Sequence, residues 1–149
     1  MDIADLPGQI EDAIICRLRE KLSSCWQVDP FPSSAGDWDH NQPFQVLVGF
    51  QSADVLTGNT AVFDRRRRVE NLTFVISIAS TYLQTDQHEG VKDGRVEVVK
   101  FLDGWQPLGN CPSAFLYKIS DGFATRDQAN GLLIWGLTFT CRVAGSVVS

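Results

Sequence analysis

The residues of this chain that could do chemistry are few and scattered. Asp37, Asp39 and His40 stand together and supply donor types that a divalent metal accepts. They fall in a proline- and serine-rich stretch with no further histidine nearby, which reads more simply as a solvated loop. His88-Glu89 lacks the second histidine at helical spacing that a zinc hydrolase needs. With two histidines a Ser–His–Asp set is arithmetically open, yet no serine sits in a Gly-x-Ser-x-Gly turn. Gly104 and Gly109 flank a Trp-Gln-Pro-Leu segment with no Lys-Ser/Thr after it, so no phosphate-cradling loop is expected. The cysteines Cys16, Cys25, Cys111 and Cys141 form no CxxC pair and match no zinc spacing. The expectation is a chain without catalytic residues, metal or cofactor.

The sharpest local feature is the run Arg65, Arg66, Arg67 and Arg68. Guanidinium groups make paired hydrogen bonds to carboxylates of a neighbouring subunit or to phosphate. They also serve as a solvated strand end that discourages edge pairing. In an otherwise acidic chain a protein partner is favoured over DNA. Trp38, in the polar loop, is hard to bury within one copy, and tryptophan is enriched at interface hot spots. Arg65 to Arg68 and Trp38 are therefore the candidate interface residues.

The bulk properties limit the rest. A chain of 149 residues is most simply one domain, residues 1–149, and is long enough to bury a core without staples. Hydrophobic content of 44% and charged content of 21% are those of ordinary globular proteins. A formal net charge of -5 disfavours general nucleic-acid binding, because phosphate contacts need cationic surface. No apolar run approaches the roughly 20 residues that span a bilayer, and no signal-peptide pattern opens the chain. These features predict no membrane association and free thiols in a reducing cytosol.

The elements that must position these residues are read from periodicity. Ile10, Ala13, Ile14, Leu18 and Leu22 repeat at helical spacing and predict a helix over about 7–23, with Asp5 as cap and Pro7 in its first turn. The stretch 29–43 reads as a loop. Phe44 to Phe50 is apolar at nearly every position and predicts a strand covered on both sides. The stretch 51–60 reads as turn or loop, followed by the arginines. Leu72, Phe74, Ile76 and Ile78 share one face of a long strand ending near Leu83. Val96, Val98 and Val99 favour strand on propensity, but Val91, Val98, Phe101, Leu102 and Trp105 form one helical stripe that Gly104 terminates, so a helix over 91–102 is predicted. A strand over 114–120, a turn at Asp121-Gly122 and a second turn at Asn130-Gly131 follow. The last segment, 132–143, alternates: Leu133, Trp135, Leu137, Phe139, Cys141 and Val143 on one face, more polar residues on the other. Helix, strand, strand, helix, strand, strand predicts an α+β fold: one two-layer domain, a mainly antiparallel sheet with two helices packed on one face.

Taken together, the helix IEDAIICRLREKL, the strand PFQVLVGF after a proline-containing loop, the strand VENLTFVISIAS, the segment RVEVVKFLDGW-QPLG and the closing strand LLIWGLTFTCRV resemble the tail-terminator (tail-completion) proteins of Mu-like contractile-tailed bacteriophages. The pieces cover most of the chain, and their order and spacing carry the likeness. The longer 29–43 loop and the arginine run depart from the pattern. The resemblance implies a structural virion protein with no enzyme activity, forming a homohexameric ring that caps the tail tube and sheath and joins them to the neck or head-completion protein. It implies viral DNA passing through the lumen without specific binding, a place at the neck end of the virion tail, and assembly in the bacterial host cytoplasm. The acidic balance suits a wall past which DNA slides. Another neck, connector or minor tail protein, a small cytosolic ligand-binding module and an enzyme are the rival classes.

Overall fold

The computed structural model describes residues 3–32, 44–56, 68–81, 90–109, 114–127 and 132–145. Its architecture follows from two central strands, β3 (Arg68–Ser80) and β5 (Leu132–Gly145), paired antiparallel from Arg68 opposite Gly145 to Ser80 opposite Leu133. Side chains alternate across a strand, so Leu72, Phe74, Ile76 and Ile78 lie directly beside Cys141, Phe139, Leu137 and Trp135 on one face. All of these are buried except the half-buried Trp135. Each large side chain so buried is worth about 1.5–3 kcal/mol relative to exposure.

Around this pair the sheet runs β1-β2-β3-β5-β4, with β1 (Gln27–Pro30) parallel to β2 (Phe44–Val55) and all other neighbours antiparallel, β4 being Leu116–Asp127. Strands β3 and β4 run in the same direction, with β5 inserted between them. Helix α2 (Val91–Leu102) makes the crossover that such parallel strands require. Helix α1 (Leu6–Lys21), entered through a 3-10 turn at Ile3–Asp5, packs over β1 and β2. Both helices lie on the Phe74/Phe139 face and share one hydrophobic core with it. The α+β expectation, two helices over one face of a mainly antiparallel sheet, is met.

The helices form for the reasons the sequence suggests. Leu6, Ile10, Ile14 and Leu18 are fully buried at spacings of four, and Pro7 occupies the first turn. Asp5 makes no side-chain cap hydrogen bond, because the preceding 3-10 turn already holds it in a helical conformation. In α2, Val91, Val98 and Leu102 are buried, whereas Val96 is exposed, and Gly104 takes the left-handed φ of 78° that ends the segment. Helical stripe overrode β-branched propensity.

Three readings need correction. The loop expected from Asp29 onward begins later: Gln27 to Pro30 form the short edge strand β1, held by parallel pairing with β2 that leaves no periodic trace in four residues. The loop expected over 51–60 also begins later, because β2 continues past a bulge between Phe50 and Ser52 to Val55. Asp121-Gly122 is no turn. Strand β4 runs through it, bulged between Lys118 and Ser120 and again between Phe123 and Thr125. The strand β3 ends at Ser80, and the Asn130-Gly131 turn lies outside the described residues. No helix among the described residues is long and apolar enough to cross a membrane.

Gly94 sets how closely α2 approaches the sheet. A Cβ there would stand 2.7 Å from the Trp26 ring and 3.0 Å from Ile78. Gly94→Leu should therefore lower the unfolding free energy by roughly 3 kcal/mol, the upper part of the range for overpacking a core, measured by urea denaturation.

Candidate functional site

The candidate interface residues fall at the margins of what is described. Arg65, Arg66, Arg67 and Trp38 lie outside the described residues, as do Asp37, Asp39, His40 and His88. Arg68 is the first residue of β3, opposite Gly145. Among the described residues no group of His, Cys, Asp or Glu is arranged to hold a metal ion.

The structure instead gathers charge at a place the sequence reading took for a turn. Asp121, on the helix-facing side of β4, is only 13% exposed in its side chain. It accepts from Arg95 Nε of α2 at 3.0 Å and 2.9 Å on its two oxygens, and from Arg95 Nη2 as well. Lys118 Nζ donates at 2.9 Å, and Trp135 Nε1 of β5 at 2.6 Å. The Arg95 hydrogen bonds hold the carboxyl well below the usual carboxylate range against the opposing effect of burial, with help from Lys118 and Trp135. Arg95 is raised in turn, first by its hydrogen bond to Asp121. A carboxylate so saturated with donors has neither a proton to give nor a free lone pair near neutral pH. The cluster ties α2, β4 and β5 together. The signal that could have found it was an arginine in the helix facing an aspartate on a strand, but the separation of 26 residues hides such a pair from any local pattern.

Chemistry at the sheet borders is of another kind, since an edge strand presents unpaired backbone N–H and C=O groups. Along β1 the outward groups are largely closed. Val28 O accepts from Arg19 Nε at 2.8 Å, and Pro30 has no N–H to offer. On β2, Phe50 N–H donates to Glu11 Oε2 at 3.2 Å just before the bulge. On β4, Leu116 exchanges bonds with Gly104 and Trp105 at 2.7 Å and 2.9 Å, and Lys118 N–H donates to Asp103 Oδ1 at 3.0 Å. Beyond these closures both borders turn apolar and exposed: Val55 on β2 is 51% exposed, and Ile119 and Phe123 on β4 are 57% and 48% exposed. An exposed apolar border of this kind is a surface that another strand can cover.

Two helices over one face of a mainly antiparallel five-stranded sheet define the class of fold, a two-layer α+β domain. Solved structures share that fold. A chain of the virion of a native gene transfer agent particle is similar over 93% of this chain and 96% of its own, at a TM-score of 0.58 and 16% identity. The sheath/tube terminator of an extracellular contractile injection system, PVC, in its extended state, is similar over 100% of this chain at a TM-score of 0.58 and 11% identity. This chain spans 58% of that terminator's length. At these identities the shared property is the fold. No family model and no curated protein matches the sequence.

Asp121→Asn should destabilise the chain at neutral pH by roughly 2 kcal/mol, the range for hydrogen bonds to charged groups. The folded-state pKa of Asp121 is lowered, so its contribution is fully present above the ordinary value of 3.8 and is lost as pH falls below it. Thermal or urea unfolding should therefore show a gap between wild type and variant that is constant from pH 5 to 8 and narrows only below about pH 4.

Proposed function

We propose that this chain is a structural virion protein, a tail terminator of the type found in Mu-like contractile-tailed phages. The observation that carries the reading is the fold match along essentially the whole chain to particle components, one of them a sheath/tube terminator. In this reading residues 1–149 form one domain, and the domain assembles as a homohexameric ring. The ring caps the finished tail tube and sheath, joins them to the neck or head-completion protein, and lets DNA pass through its lumen without specific binding. The formal charge of -5 supports the last point, because a wall of like charge does not retain phosphate. The protein performs no catalysis, resides at the neck end of the tail, and assembles in the bacterial cytoplasm. Arg65 to Arg68 and Trp38 contact a neighbouring subunit or the tube below.

A second reading, another tail or neck component, is favoured by one observation. The match that agrees in length is to the gene transfer agent chain, whereas the terminator is considerably longer.

Mass photometry separates these from a monomeric enzyme or ligand-binding module. The expected species, alone or with tube protein present, is about six times the 16.5 kDa monomer. Added to growing tubes, the protein should arrest elongation; a ring that joins particles without arresting growth selects the second reading. Replacing Arg65 to Arg68 by glutamate should abolish ring formation or tube capping, and unchanged assembly removes the arginines from the interface.

A further inference from the structure

The open parts of the two sheet borders match each other. In β2, Leu56 N–H bonds Val69 O, so alternation directs the N–H and C=O groups of Ala53 and Val55 away from β3. In β4, the outward direction of Leu116 and Lys118, carried through the bulge at Ile119, falls on Asp121 and Phe123. Ala53 and Val55 on β2, and Asp121 and Phe123 between the two bulges of β4, are thus outward residues spaced by two, and none of the four has a backbone partner on that side among the described residues. Ala53 and Val55 pair with Leu72 and Glu70, while Asp121 and Phe123 pair with Leu137 and Trp135, so all four side chains stand on the helix-facing side. Strands β2 and β4 run antiparallel within the sheet. A second copy set beside the first without being turned over therefore presents its β2 to β4 in antiparallel sense, with the helix layers on the same side.

We infer that copies of this chain join head to tail by pairing the Ala53–Val55 border of β2 with the Asp121–Phe123 border of β4, Ala53 opposite Phe123 and Val55 opposite Asp121. The occupant is a second copy of this chain, an inference that rests on the ring reading and names its interface. This is the register that satisfies all four outward residues, and it lays exposed Val55 diagonally against exposed Phe123. The contact is heterologous, the type that generates rings. The closed groups at Val28, Phe50, Leu116 and Lys118 bound this stretch on the β1 side and at the start of β4, and disfavour a full-length β1–β4 junction.

The register also fixes a stagger. Ala53 lies in the cross-strand row of Cys141, and Phe123 in the row of Trp135, which places successive copies about 20 Å apart along the strand direction. Four strand spacings, about 19 Å, separate equivalent strands of adjacent copies. Closure without a helical rise then requires strands leaning on the order of 45° from the ring axis, close to the tilt of closed β-barrels.

The test is a cysteine pair, Ala53→Cys with Phe123→Cys in a Cys16→Ser background, oxidised mildly. Directly opposed residues stand about 5.5 Å apart between Cα atoms, within disulfide reach. The expected result is a disulfide-linked ladder ending at the ring mass, absent when only one of the two cysteines is introduced. Ala53→Pro supplies a second readout. It removes an outward N–H that β3 does not use, so the monomer should keep its circular dichroism spectrum while the oligomer dissociates at least tenfold more readily. Oligomers that form without cross-linking and tolerate Ala53→Pro overturn this interface and leave the ring reading standing. A chain that stays monomeric with tail components present overturns both.

Discussion

The structure depends on the central antiparallel pair β3–β5 and the strict alternation it imposes. Because every second residue must face the same way, Leu72, Phe74, Ile76 and Ile78 and their partners on β5 build one continuous apolar surface. A surface of that extent cannot stay in water, and the two helices exist at these places to cover it. Helix α1 brings Ile10, Ile14 and Leu18 to the β1–β2 side, while α2 brings Val98 and Leu102 to the β3–β5–β4 side. The rest of the chain is arranged around that requirement.

The borders are where the core's demand ends and other constraints decide. Several outward backbone groups are satisfied from above by side chains or turns: Arg19 at Val28, Glu11 at Phe50, Asp103 at Lys118. Two of these lie next to a bulge, where the ladder's own alternation breaks. Edge protection here is local, one group at a time, and among the described residues it leaves short stretches of ladder open beyond the closures.

How much of this could be read from the chain depended on the length of each periodic run. The 14 residues of β5 and the apolar face of β3 were legible because many repeats of period two leave no other assignment. Helix α2 was legible despite its valines because the stripe Val91, Val98, Leu102 closes on Gly104. Strand β1 was not, since four residues ending in proline carry no period. The bulged part of β4 was misread for a related reason: Asp121-Gly122 has turn composition, and what makes it strand is pairing with Leu137 and Gly136. The Asp121 cluster joins Arg95, Lys118 and Trp135 from three elements, so nothing local announced it. Of the interface residues expected from the sequence, Arg68 alone falls among those described, at the start of β3.

Helix α2 is pinned from three directions. Trp26 rests on Gly94, Arg95 clasps Asp121, and Arg17 both donates to Phe101 O at 2.6 Å and stacks over Trp105 at 4.6 Å. Two of these anchors hold the first half of the helix, at Gly94 and Arg95, and the third holds its end at Phe101. Displacing this layer over the sheet would have to break the Arg95–Asp121 pair and lift Arg17 from both Phe101 and Trp105 at once.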